Sequence, residues 1–259
     1  MTLEEQRACM RPLQLAGLII MENGGETFRV EETVTRMGRA FGLEEVETFS
    51  VPSGLFISYR MSDGNVETSV KRVRRSGNHL VRVDRVNAVS REMERTGMTP
   101  AEAAARLEEI RLLPNRRSLL PIGAAVCAAG FALLFGGSWP DLLAAFLLAG
   151  LVEGICMLLD KFHMQALVAV LLGSILTVLV PAVLKSFLPV LSTESVIAGA
   201  LMPLLPGLTM TTAVQDTMRG DIVSGLSHGI EAILTAGLVA GGALIANAVF
   251  RVLTGGGLL

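Results

Sequence analysis

The chain has 259 residues, 51% of them hydrophobic, and a formal net charge of −2. Residues 1–117 carry 18 of the 22 Lys and Arg and 17 of the 24 Asp and Glu, so charge is concentrated in the first part and nearly absent from the rest. Such long apolar runs exclude a disordered chain, and the near-neutral first part speaks against nucleic acid as the main partner. The expected fold class is an α-helical integral membrane protein with about five transmembrane helices, preceded by a small α+β cytoplasmic domain. The boundaries fall at 1–115 and 116–255.

The opening residues carry no basic segment ahead of an apolar one, so no cleavable signal peptide is expected. A first helix includes residues 13–20, with Pro12 near its start and Asn23-Gly24-Gly25 as its stop. A second runs from about Glu26 to Phe41, where Val30, Val34, Met37 and Phe41 share one face and Gly42 suits the C-terminal cap. The period then changes to two. Residues 46–51 and 55–59 read as strands, Ser62-Asp63-Gly64-Asn65 as a turn, and 66–70 as a third strand. A fourth strand is predicted near residues 80–83, with Asp84 capping the next helix. The cluster Lys71-Arg72-Val73-Arg74-Arg75 reads as a solvated edge, with contact to anionic lipid as the alternative. Thr99-Pro100-Ala101-Glu102 opens another helix with a cap, a proline at its first position and an acidic residue three after the cap.

Membrane spans are predicted near 118–137, 142–159, 163–183, 194–214 and 224–250. The fourth holds Pro203, Pro206 and Gly207 and is therefore expected to be broken. The last is longer than a span requires, which implies tilt. Arg111, Arg116 and Arg117 before the first span put the N-terminal domain inside. Lys161 and Arg219 then also fall inside, and Lys185 and Arg251 outside.

Ionisable residues inside spans are costly unless they face protein, water or an ion. Glu153 and Glu231 are the candidates for proton coupling, each with a buried or interfacial structural role as the alternative. His228, three residues before Glu231, shares its helical face, and the pair reads as a proton relay or, more plainly, as a lone interfacial histidine beside Glu231. The segment around the break offers backbone amides, at the start of a half-helix beginning with Pro206 and Gly207, and the hydroxyls of Thr209, Thr211 and Thr212. Such groups hold a small carboxylate or zwitterion. Asp216, Arg219 and Asp221 form a charged gate on the same reading, or else an ordinary loop. In the first domain Glu26 and Arg29 follow a Gly-Gly turn and read most simply as part of it. Cys9, Cys127 and Cys156 are not spaced as metal ligands, His79 and His163 have no ligand cluster around them, and no Ser-His-acid set appears. No cofactor, metal or catalytic residue is therefore predicted.

Several stretches resemble the threonine/serine exporter family, in particular the large subunit of its split, two-protein form. They are Glu22-Asn23-Gly24-Gly25-Glu26-Thr27-Phe28-Arg29 within residues 18–31, Gly38-Arg39-Ala40-Phe41-Gly42, and Phe135-Gly136-Gly137-Ser138-Trp139-Pro140-Asp141. The most family-like is Leu205-Pro206-Gly207-Leu208-Thr209-Met210-Thr211-Thr212-Ala213-Val214-Gln215-Asp216-Thr217-Met218-Arg219-Gly220-Asp221. The resemblance implies a secondary exporter of the bacterial inner membrane, driven by the proton gradient, that moves threonine and serine or small dicarboxylates. Five spans against about ten in single-chain members imply a small membrane partner subunit, and a higher-order oligomer is compatible with that. The resemblance also carries Pro206, Gly207, Thr209, Asp216, Arg219, Asp221, Glu26 and Arg29 as site residues. The other function classes are a membrane-anchored hydrolytic enzyme using the cytoplasmic domain, and an accessory or sensor subunit without its own pathway.

Overall fold

A computed structural model describes residues 1–74, 77–115, 117–162 and 164–254. Arg75 of the basic cluster, Arg116 before the first span and His163 lie outside the described residues. The chain forms two compact units: Met1–Asn115 with Thr211–His228, and Arg116–Met210 with Gly229–Leu259.

The first unit opens with α1 (Leu3–Ala8) and α2 (Met10–Glu22), followed by α3 (Thr27–Ala40). Thr2 and Glu5 cap α1 reciprocally. Gly24 stops α2 in the left-handed region at φ +80°, which a residue with a side chain rarely adopts. Strands β1 (Glu44–Val51), β2 (Gly54–Arg60) and β3 (Val66–Arg72) form one antiparallel sheet in that order. Leu55, Ile57 and Tyr59 alternate into the core, where they meet Leu13, Ile19 and Val34. Gly17 lets α2 approach β2, because a Cβ there would stand 2.4 Å from Leu55 Cδ2.

Helices α4 (Leu80–Thr96) and α5 (Pro100–Arg111) complete this part. The fourth strand expected near residues 80–83 is instead the first turn of α4, and Asp84 sits inside that helix rather than capping it. Val83, Val86, Val89 and Met93 are all buried at helical spacing, which outweighs a four-residue alternation. The Thr99–Glu102 capping box forms as the sequence predicts.

The second unit contains α6 (Leu120–Leu134), α7 (Trp139–Lys161), α8 (Ala166–Lys185) and α9 (Thr193–Leu201). After α9 come a short 3-10 turn (Met202–Leu204), α10 (Gly207–Met218) and α11 (Ile222–Thr254). Residues Thr211–His228 of α10, α11 and the turn between them count with the first unit. Among the described residues, four helical segments are long and apolar enough to cross a membrane, and the bent pair Thr193–Leu204 and Gly207–Met218 gives up to five. The pair bends by 51° at Leu205-Pro206. Proline lacks the N–H that a continuous helix would need there. At 33 residues, α11 is about 50 Å long at 1.5 Å per residue.

Small residues make the contact among α6, α7 and α9: Ala128, Ala132, Ala145, Ala149 and Ala200 are all buried. Asp141 locks the turns at one end of these helices. Its Oδ2 accepts from the Ser138 amide and hydroxyl, each at 2.7 Å, and its Oδ1 from the Ser192 amide at 2.7 Å. A wholly buried carboxylate satisfied in this way holds structure together.

Candidate functional site

The first unit brings together two stretches that lie some 190 residues apart. Asp216, wholly buried in the last turns of α10, accepts a hydrogen bond from the hydroxyl of Thr27, the first residue of α3 (3.2 Å). Its other oxygen lies 3.0 Å from Nδ1 of His228 on α11. The turn between α10 and α11 makes this possible. Gly220 takes φ +92°, the Asp221 amide closes back on the Asp216 carbonyl at 2.9 Å, and α11 starts at Ile222.

Arg219 leaves the end of α10 and lays its guanidinium 3.3 Å from the ring centroid of Phe28. It is exposed, and among the described residues no carboxylate pairs with it. An aromatic face holds the cation without consuming its five N–H donors. Arg29 is paired with Glu26 at 2.5 Å and lies 5.6 Å from the centroid of the same Phe28 ring.

Glu31, one turn further along α3, accepts from the Ser50 amide at 2.8 Å and the Ser50 hydroxyl at 3.2 Å. The same hydroxyl also contacts the Thr27 carbonyl at 3.1 Å, so β1 fixes the start of α3. Burial pushes the Glu31 carboxyl above the usual carboxylate range. The two Ser50 hydrogen bonds oppose that rise and the charge of Asp221 adds to it. The cluster thus holds a guanidinium that no carboxylate pairs with among the described residues, beside two carboxylates that repel each other. A cleft of about 870 Å³ begins at Phe28 and Glu31 and runs along the sheet past Arg36, Phe49 and Phe56.

The expected site residues divide into two groups. Asp216, Arg219 and Asp221 gather with the start of α3, where Glu26 and Arg29 also stand. Pro206 and Gly207 stand at the opposite end of α10 and Thr209 in its first turn; Thr211 and Thr212 follow in the next turn. Asp216 comes nine residues after Gly207, about 13 Å along the helix. Glu153 is half-buried in the middle of α7, and Glu231 is exposed on α11, where its carbonyl accepts from the Thr235 hydroxyl. The sequence does not single out Thr27, Phe28, Glu31 or Ser50 as site residues. Phe28 and Thr27 lie inside the family-like stretch, which was the signal available. His228 was paired with Glu231 by helical spacing, whereas its imidazole meets Asp216.

Comparison with known proteins covers most of the chain. A family model described as "Putative threonine/serine exporter" matches residues 12–250. The "Probable succinate transporter subunit YjjP" of Escherichia coli strain K12 is 27% identical over 238 residues, covering 91% of this chain and 92% of that protein. The protein of the same name from Klebsiella aerogenes is 27% identical over 234 residues, covering 89% and 90%. The "Probable threonine/serine exporter" of Mycobacterium tuberculosis is 24% identical over 227 residues, covering 86% of this chain but 43% of that protein. No solved structure matches the chain.

Proposed function

The chain belongs to the threonine/serine exporter family, and from that membership we propose that it is one subunit of a two-component secondary exporter. It is a multi-pass membrane protein of a transporter family, which favours a carrier over an anchored hydrolase or a sensor. The proposed partner is a small membrane subunit. Two observations support it: the similar E. coli protein is named a subunit, and the M. tuberculosis exporter is about twice as long as the region it shares with this chain. The proposed location is the bacterial inner membrane, with the N-terminal domain in the cytoplasm and the spans in contact with lipid.

The proposed cargo is threonine, serine or a small dicarboxylate. The observation that carries this reading is the Arg219 guanidinium, spread on Phe28 and unclaimed by any carboxylate among the described residues. It suits a substrate carboxylate, which it can hold with two parallel hydrogen bonds. Asp221 and Glu31 repel one another nearby, and a substrate ammonium would relieve that repulsion. Thr211 and Thr212 of α10 are proposed as further substrate contacts, and Pro206, Gly207 and Thr209 at its head as substrate-binding residues in their own right. Efflux is proposed to be driven by protons, with Glu153 and Glu231 carrying them inside the membrane segments.

Proteoliposome counterflow with labelled serine, threonine and succinate tests the proposal, with this chain alone and with its small partner. Exchange that requires both proteins is the expected result. No exchange of any of the three, with both proteins inserted and folded, would overturn it. E153Q is expected to abolish efflux driven by a pH gradient while leaving assembly intact. An unchanged pH dependence removes Glu153 from the mechanism.

A further inference from the structure

His228 is the partly buried titratable side chain that the proposed substrate path leaves unused. Its Nδ1 lies 3.0 Å from Asp216 Oδ2, and the Thr27 hydroxyl donates to the other oxygen of the same carboxylate. Two lone pairs do not approach to 3.0 Å without a proton between them, so one proton stays on the line from Nδ1 to Oδ2. The second proton that an imidazole takes belongs on Nε2. Asp216 is wholly buried, while 21% of the His228 side chain remains exposed. The ring is therefore the exposed member of the pair and its side towards water. Imidazole is also the side chain best suited to exchanging protons near neutral pH.

Resting on the exporter reading above, we infer that the Asp216–His228 pair is a proton-binding site of the transport cycle, with Thr27 positioning its carboxylate. Charged groups on the same elements have these partners among the described residues. On α3, Glu26 is paired with Arg29 and Glu31 is held by Ser50. Beyond α10, Arg219 lies on Phe28 and Asp221 acts on Glu31. On α11, Glu231 follows His228 by three residues. A proton on Nε2 makes the ring an imidazolium and cancels the Asp216 charge. The site then loses one negative charge, the feature that attracts a substrate ammonium. Proton and zwitterion so compete for one charge, which is what exchange of one for the other requires. Thr27 begins α3, so the proton state of the pair acts directly on the end of that helix, next to Phe28 and the Arg219 it carries.

The test uses the full chain with its small partner in proteoliposomes. It compares counterflow of labelled serine, threonine and succinate at equal pH with transport driven by a pH gradient. H228N keeps an N–H that can donate to Asp216 but takes no proton, and H228Q serves as a second variant should H228N fold poorly. Both are expected to retain counterflow and to lose gradient-driven transport by about tenfold or more, a typical coupling factor. Wild-type counterflow of serine and threonine should weaken as pH falls, and in H228N it should be flat with pH. For Thr27, T27V is expected to shift the pH profile of counterflow and T27S to restore it. Gradient-driven transport by H228N within about twofold of wild type, well below such a coupling factor, overturns the inference and leaves the exporter reading standing. So does loss of both activities in variants that remain folded, because the residue then serves substrate binding or structure. Absence of both activities in the wild type removes the exporter reading, and this inference with it.

Discussion

Replacing Arg219 by alanine is expected to lower substrate transport on the order of 100-fold while the protein still folds and inserts. The guanidinium is exposed and rests on the Phe28 ring, so its removal opens no buried cavity and leaves no buried charge without a partner. What is lost is a cation for the substrate carboxylate. A two-point, charge-assisted contact contributes about 2–3 kcal/mol, which is the source of the expected factor. Arg219→Lys should recover only part of it. An ammonium keeps the charge but has neither the planar fork nor the flat face that stacks on Phe28. Initial rates of counterflow at several substrate concentrations check this, since a lost binding contact appears first in the half-saturating concentration. Transport by R219A at the wild-type rate would remove Arg219 from the site.

Enlarging Gly199 is expected to have the largest effect on stability. This residue of α9 faces α6 so closely that a Cβ would stand 2.6 Å from the Ala128 carbonyl oxygen, 2.7 Å from the Ala132 nitrogen and 2.9 Å from the Ala132 Cα. All three are backbone atoms, which do not turn aside as a side-chain end would. Small residues permit this approach between apolar helices, where close packing rather than exclusion of water holds the pair together. Gly199→Ala should force the helices apart by a few tenths of an ångström or more. Gly199→Val should cost at least the upper end of the ~1–3 kcal/mol typical of overpacking, because the buried Ala128, Ala132 and Ala200 contacts loosen together. Thermal unfolding in detergent reads this as a graded fall from glycine to alanine to valine. Equal melting of all three would mean that α6 and α9 do not meet as described.

Much of the local structure is legible in the sequence because its causes are local. The Thr99–Glu102 cap, the stop at Gly24, the alternation through Leu55, Ile57 and Tyr59, and the break at Pro206 each rest on residues within a few positions of one another. The error at residues 80–83 is of the same kind, since four residues of alternation fit a strand as well as the first turn of a helix. The candidate site was only half legible. Asp216, Arg219 and Asp221 stand out as charges beside a long apolar segment, and Glu26 and Arg29 as charges after a glycine pair. Their meeting depends on a contact between Thr27 and Asp216, 189 residues apart, and no periodicity encodes such a contact. Phe28 looks like one more apolar residue of an amphipathic helix until Arg219 is found on its ring. His228 misled for a related reason. Helical spacing named Glu231 as its neighbour, but the turn at Gly220 folds the end of α10 back towards α11 and supplies Asp216 instead.

The central claim is that the start of α3, in the N-terminal part of the chain, helps to build the substrate site. The most direct measurement is equilibrium binding of labelled serine, threonine and succinate to the purified complex of this chain with its small partner, comparing wild type with Phe28→Ala. Loss of the ring should release Arg219 and weaken binding by about tenfold, as expected when a cation–aromatic contact of ~1–2 kcal/mol no longer holds the guanidinium in place. The melting temperature should change little, because Phe28 is only half-buried. Binding by F28A as tight as that of the wild type would contradict the account and leave the N-terminal part outside the substrate site.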